Sequence, residues 1–149
     1  MTTGTSIAVV RCTMLAGAIY DALFAVPILV APAWLSGLIA VSVPQEEIYL
    51  RFIGVFLLGL ALFYLLPVIH AGRYLGNVAA AVAVRTAGGA FMLVAVLGFA
   101  QPRPFILLAA GDLFFAVLHY LSLVPLSGWK IWRLAGAEIA SSRPNGGRL

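Results

Sequence analysis

The sequence predicts an all-α integral membrane protein. The expected form is a four-helix up-down-up-down bundle with an outer interfacial segment and a C-terminal cytoplasmic amphipathic helix. Three observations lead there. The 149 residues contain four apolar runs, at 7–31, 48–68, 78–100 and 105–126, each near or above the ~20 residues that cross a hydrocarbon core of ~30 Å. Apolar residues make up 63% of the chain and charged residues 9%, against about 25% charged in soluble domains, and mean hydropathy is +1.08. Finally, each run carries only one or two charges: besides Arg11 near the start of the first, these are Asp21, Arg51, Arg85 and Asp112.

The elements follow in chain order. The first run exceeds the 7–15 residues of a signal-peptide core, has Arg11 near its start and encloses Asp21. It is therefore expected to remain as a helix. Cys12 is the sole cysteine, which excludes an intramolecular disulfide and argues against dithiol redox chemistry. The connection over 32–47 holds Trp34, Leu35, Leu38, Ile39 and Val41 and is closed by Pro44. It is too apolar for a free loop and is expected at the outer interface as a short helix or re-entrant piece, with Trp34 at headgroup level. The connection over 70–77 carries Gly72 and Gly76, as a tight turn should, and that over 101–104 carries two prolines. Such short links predict that sequential helices are antiparallel neighbours.

Beyond the fourth run, residues 127–140 place Trp129, Trp132, Ala135 and Ile139 on one helical face and Lys130, Arg133 and Glu138 on the other. This reads as an amphipathic helix on the cytoplasmic leaflet. The polar stretch 141–149 is expected to be flexible, and the whole of 1–149 forms a single domain. With four spans, one side collects Arg11, Arg73, Lys130, Arg133, Arg143 and Arg148, while the other has Arg103, with Arg51 at the mouth of the second helix. The positive-inside rule then puts both termini in the cytoplasm. The basic residues form no groove or patch, so nucleic acid is not an expected partner; the lipid bilayer is.

A charge at mid-bilayer costs roughly 2.5–3.5 kcal/mol, so the set would cost ~10 kcal/mol if unpaired, comparable to a domain's whole stability. Asp21, Arg51, Arg85 and Asp112 must therefore face inward and pair. Depth along the helices suggests Asp21 with Arg51 in the outer half and Arg85 with Asp112 near the midplane, or one four-membered network. The neighbours fit inward faces: Gly17 and Ala25 around Asp21; Gly54, Val55 and Leu58 after Arg51; Ala79, Ala83 and Ala87, then Gly88 and Gly89, around Arg85. Asp112, Ala116 and His119 share one face, with Tyr120 beside it. Asp21–Val26 and Asp112–Val117 echo each other, an echo attributed to similar packing. His119 is expected to be a satisfied polar residue. Its only fellow histidine, His70, belongs to a loop, which argues against bis-histidine haem. No zinc spacing, P-loop, dinucleotide fingerprint or nucleophile elbow occurs, so no metal or cofactor is predicted.

The layout consists of an acidic residue in the first helix, a Pro- and Trp-containing outer segment, Arg51-Phe-Ile-Gly54, Arg85-Thr-Ala-Gly88 and Gly111-Asp112. Over most of its length it resembles the small four-helix bacterial membrane proteins of the DoxX-like type. That resemblance implies the architecture, a bacterial plasma (inner) membrane and a lean toward accessory subunits. The quinone-linked redox role associated with DoxX does not carry over, because no residues here match a redox centre.

The leading expectation is an accessory or structural subunit of a larger membrane assembly or homo-oligomer, with Asp/Arg pairs fixing helix register. One alternative is binding or transport of a small or lipophilic molecule, such as a quinone or lipid, in an intrabundle cavity with Arg51, Arg85, Asp112, His119 and Tyr120 as binding residues. Another is a membrane enzyme with Asp21 or Asp112 as acid–base group on a lipid-like substrate.

Overall fold

The computed structural model describes residues 3–127. It contains five helices: α1 (Thr3–Val30), α2 (Pro32–Leu38), α3 (Glu47–Ile69), α4 (Leu75–Phe99) and α5 (Phe105–Ser127), with no strand among the described residues. The amphipathic helix expected over 127–140, beyond Ser127, and the tail 141–149 lie outside the described residues. The four long helices have 28, 23, 25 and 23 residues, or roughly 34–42 Å at 1.5 Å per residue. Each is long and apolar enough to cross a membrane. Their outward faces carry Leu23, Phe52, Phe56, Phe91, Leu97, Leu107 and Phe114, a surface suited to hydrocarbon and far more apolar than water tolerates.

The helix ends have local causes. α2 is a short helix, one of the two forms expected for the first connection. Pro32 starts it, where a missing N–H leaves nothing unsatisfied. Pro32, Leu35 and Ser36 are buried, while Trp34 is exposed. α4 begins at Leu75, three residues before the expected span, directly out of a turn in which the Arg73 and Tyr74 amides donate to the His70 carbonyl. It stops at Ala100, which adopts φ 52° and ψ 32°. The Gln101 amide then reaches back to the Ala95 carbonyl, closing the helix end, and Pro102 cannot continue it.

α1 packs on α3, α4 packs on α5, and α1 meets α5. Contacts at two heights make α1 antiparallel to α3 and to α5. Arg11 meets Ile69 while Gly54 meets Ile28 and Leu29. Thr13 meets Ser122 while Tyr20 meets Gly111, and Gly89 meets Ala109 and Leu113. The tight turn between α3 and α4 led to the expectation that these helices would be close neighbours too, but they share much less surface than either successive pair. α4 packs instead on α5, and Arg85 at its buried centre reaches carboxylates on α1 and α5.

The apolar core is a single cluster of Val10, Met14, Ala18, Tyr64, Ala71, Val78, Ala79, Ala81, Val82 and Leu123. The buried line of α4 runs Val78, Ala81, Val82, Arg85, Gly89. The expected inward stripe Ala79–Ala83–Ala87 is thereby corrected: Ala79 is buried, but Ala83 and Ala87 are exposed. A strict four-residue spacing drifts around a 3.6-residue helix, so it leaves the face on which Arg85 and Gly89 sit. Val55 and Leu58, expected on the Arg51 face, are likewise exposed; Gly54 is the buried member.

Two glycines set interhelical distances. A Cβ on Gly54 would come within 2.8 Å of Ile28 Cγ2 and 3.0 Å of Leu29 Cγ. A Cβ on Gly89 would come within 2.7 Å of Leu113 Cγ and 3.1 Å of the Ala109 carbonyl oxygen. Gly59 has nothing within 4 Å. Gly54→Ala and Gly89→Ala should each lower stability by about 1–3 kcal/mol through overpacking. Gly59→Ala should be neutral or mildly stabilising, since an unopposed glycine in a helix costs up to about 1 kcal/mol relative to alanine. Thermal unfolding of the three variants in one detergent checks the ordering.

Candidate functional site

Arg85 lies mid-helix in α4, with its guanidinium at the junction of α1, α4 and α5. Its Nη1 donates to Asp112 Oδ1 at 2.6 Å, and its Nη2 donates to Asp21 Oδ1 at 2.7 Å and to the Gly17 carbonyl at 3.3 Å. These are short, charge-assisted bonds of the strong kind. Arg85 and Asp21 are each 3% exposed; Asp112 is 19% exposed. Three aromatic rings close around the guanidinium, with centroids at 5.4 Å (Tyr20), 5.2 Å (Tyr64) and 5.0 Å (Phe115). Delocalised, weakly hydrated charge suits such a cage, which a lysine ammonium would not fill equally.

Small residues allow this convergence. Gly17 lets α5 approach so closely that a Cβ there would be 3.0 Å from His119 Nε2. Gly88 sits beside Asp112, where a Cβ would be 3.1 Å from Oδ2. Gly111 leaves room for the Tyr20 hydroxyl. The echoed hexapeptides acquire a geometric meaning here: Asp21 and Asp112 both grip Arg85, and Phe24 and Phe115 both pack on Tyr20, at 5.1 and 5.0 Å.

The expected Asp21–Arg51 pair is corrected. Arg51 bonds Glu47 on its own helix at 3.1 Å and donates to the Leu29 carbonyl. Gly54 seats against Ile28 and Leu29, so Arg51, one turn earlier in α3, stands level with the end of α1. Asp21 lies eight residues below Leu29, roughly 12 Å along the axis. Neither the Asp21–Arg51 pair nor the four-membered network forms; one three-membered group forms instead, with Arg85 shared by Asp21 and Asp112. Arg51 has a different task. The Leu29 carbonyl belongs to the last turn of α1, where no intrahelical donor remains and the helix dipole favours a cation. Arg11 of α1 does the same for α3, reaching the Ile69 carbonyl at 3.4 Å. The two antiparallel helices thus cap each other's C-termini.

His119 is fully buried on α5, packed against Tyr64 and Phe115 at ring separations of 6.0 and 5.9 Å. The expectation of a hydrogen-bonded histidine is not met: neither Nδ1 nor Nε2 has a partner. Tyr120 is half-buried and packs on the apolar core, apart from the Arg85 cage. Tyr64 and Phe115 were not among the expected site residues. Tyr64 could have been found as a tyrosine inside an apolar run, whose hydroxyl calls for a polar neighbour; Phe115 could have been found from the echoed hexapeptides, where it matches Phe24.

Two clefts lie near the start of α1. One, about 350 Å³, is walled by Ile7, Arg11, His70, Ala71, Gly72 and Arg73. The other, about 160 Å³, is walled by Ser6, Thr13, Ser122 and apolar neighbours. Neither has Arg85, Asp112 or His119 in its wall. Among the described residues no three potential ligands gather as a metal site.

What fold and site together define is a helical protein with four apolar helices long enough to cross a membrane and an Asp–Arg–Asp group among them. No family model, curated protein or solved structure matches the chain.

Arg85→Ala leaves two carboxylates uncompensated in the interior and should destabilise by about 3–5 kcal/mol. Asp21→Asn or Asp112→Asn leaves a balanced pair and should cost less. Arg51→Gln removes a half-exposed pair and should cost at most about 1 kcal/mol. Denaturant or thermal unfolding in lipid-like detergent, with Arg85→Ala far below Arg51→Gln, checks the assignment of roles.

Proposed function

We propose that the chain is a non-catalytic, multi-pass membrane subunit. It crosses a bacterial plasma membrane as an up-down-up-down bundle with both termini cytoplasmic, and serves a larger membrane assembly or homo-oligomer as a structural or accessory part. The observation that carries this reading is the closure of the polar centre. Asp21 and Arg85 are buried, both carboxylates are engaged by one guanidinium, and aromatic rings fill the remaining approaches. A catalytic carboxylate must reach a proton on its substrate. Neither Asp21 nor Asp112 lines either of the two clefts near the start of α1, which weighs against the acid–base enzyme. A lipophilic ligand needs a concave site that takes in most of its surface, and those two clefts are not lined by Arg51, Arg85, Asp112, His119 or Tyr120.

The register role has a physical basis. In hydrocarbon, apolar helix faces have little preference for one another over lipid tails, so packing detail and polar contacts must choose the partner and its height. A guanidinium with a carboxylate on each of two other helices satisfies both requirements at once, and sliding any one of the three helices strands a charge. The DoxX-like layout of Arg51-Phe-Ile-Gly54, Arg85-Thr-Ala-Gly88 and Gly111-Asp112 agrees with an accessory part.

Mild extraction of the tagged chain from its native membrane, followed by identification of what accompanies it, tests the proposal. Larger polypeptides in fixed ratio, or a defined homo-oligomer, are expected. A lone monomer carrying a stoichiometric quinone or lipid would contradict it in favour of the ligand-binding alternative.

A further inference from the structure

The Arg85 centre is not electrically complete. Two carboxylates share one guanidinium, leaving a formal excess of one negative charge among α1, α4 and α5. Polar atoms around it are also left over. Asp21 Oδ2, the Tyr64 hydroxyl, Arg85 Nε and both ring nitrogens of His119 are buried without a hydrogen-bond partner. Leaving a buried donor or acceptor unmet is costly, so each such group calls for a reason, such as a role in binding or proton chemistry. The groups facing this space are Tyr20 and Asp21 from α1, Tyr64 from α3, Arg85 from α4, and Asp112 and His119 from α5. Only one cation is among them.

A polar seam leads toward this centre from one end of the molecule. Along α1 the buried residues Ser6, Thr13, Gly17 and Asp21 follow at helical intervals, and α5 places Ser122 and His119 opposite them. Thr13 Oγ1 lies 3.4 Å from Ser122 Oγ, and Ser122 Oγ donates to the His119 carbonyl at 2.7 Å. His119 Nε2 abuts Gly17, whose carbonyl accepts from Arg85. The 160 Å³ cleft opens onto the outer part of this seam, with Ser6, Thr13 and Ser122 in its wall. Serine and threonine also serve as packing glue between transmembrane helices, but that role does not require an imidazole with both nitrogens unbonded at the seam's inner end.

We propose that this centre is a binding site for one exchangeable proton, entered along the α1–α5 seam from the Ser6–Thr13–Ser122 cleft, with His119 as the carrier and the Asp21–Asp112 carboxylate pair as the acceptor. In the uptake step a hydronium ion at the cleft gives a proton to a water within the seam, breaking an O–H bond and leaving water, and that seam water passes a proton on to a ring nitrogen of His119, where an N–H bond forms as an O–H bond breaks. His119 then passes a proton, through an intervening water, to Asp21 Oδ2: an O–H bond forms, an N–H bond breaks and the imidazole is neutral again. The centre goes from one excess negative charge to neutral. Sodium is a poorer fit, because a metal cation asks for several oxygen ligands and the unbonded buried oxygens here are just Asp21 Oδ2 and Tyr64 Oη, beside nitrogens of Arg85 and His119. The inference goes beyond the subunit reading and does not depend on it: a subunit could bind no proton, and a proton site needs no partner protein.

Infrared difference spectroscopy of the full chain in lipid nanodiscs, titrated with acid in H2O and D2O, tests it. The wild type should show one protonated-carboxyl band per chain that appears on acidification, shifts in D2O and does not respond to sodium at fixed pH. Asp21→Asn and Asp112→Asn should each abolish it, because a single carboxylate already balances Arg85. After a pH jump, Ser122→Ala and His119→Gln should keep the band but slow its appearance, the histidine variant by about tenfold or more, given the usual worth of a positioned proton carrier. Absence of a titrating carboxyl band in the wild type, a band replaced by sodium, or unchanged kinetics in a folded His119→Gln protein would each overturn the proposal. The wild-type measurement decides even where a variant fails to fold.

Discussion

One guanidinium held by two carboxylates organises this molecule. In water such a group would be worth little, since exposed ion pairs contribute about 0–1 kcal/mol. Among apolar helices the balance differs, because the alternative to pairing is a charge in oil at several kcal/mol. Arg85, Asp21 and Asp112 therefore act less as a source of stability than as a condition on geometry: α1, α4 and α5 must present these side chains at one height. α4 packs chiefly on α5 and has weak contact with α3 despite their short link; its tie to α1 is made by the Arg85 side chain and not by broad helix packing.

The rest of the packing is compatible with that constraint. Gly17, Gly88 and Gly111 bring backbones and polar atoms close around the centre, and Gly54 and Gly89 fix the spacing of the two outer helix pairs. Arg51 and Arg11 finish the C-termini of α1 and α3 reciprocally, so the α1–α3 pair is held at both ends without a buried charge between them. Charged side chains thus serve two purposes here. Those near helix ends satisfy orphan carbonyls; those in the interior choose partners. The unbonded nitrogens of His119 and the free oxygen of Asp21 belong to neither purpose, which is why they point to a proton.

Much of this architecture is legible in the sequence, because hydrocarbon imposes length and apolarity directly on it. The four long helices lie within a few residues of the apolar runs, and the demand that Asp21, Arg85 and Asp112 face inward follows from the cost of leaving them in lipid. Which charge meets which was legible in part: depth pairs Arg85 with Asp112, as found, but does not show that Arg85 also holds Asp21. Counting depth from helix ends pairs Asp21 with Arg51, but the height of α3 against α1 is set by Gly54 seating on Ile28 and Leu29, a contact between side-chain shapes that no periodicity records. The Ala79–Ala83–Ala87 spacing misled for a related reason: small residues pack equally well facing lipid, so alanine alone does not mark an interface. His119 was expected to be satisfied because buried histidines usually are, and only the coordinates reveal that its neighbours are Tyr64, Phe115 and the bare backbone of Gly17.

The shared guanidinium can be observed directly. Solid-state NMR of the isotope-labelled chain in lipid bilayers, recoupling arginine Cζ to aspartate Cγ, should give Arg85 two short-range carboxylate correlations, one to Asp21 and one to Asp112, and should give Arg51 none to either. An Arg85 signal correlated with neither aspartate, or an Arg51–Asp21 correlation, would contradict the account.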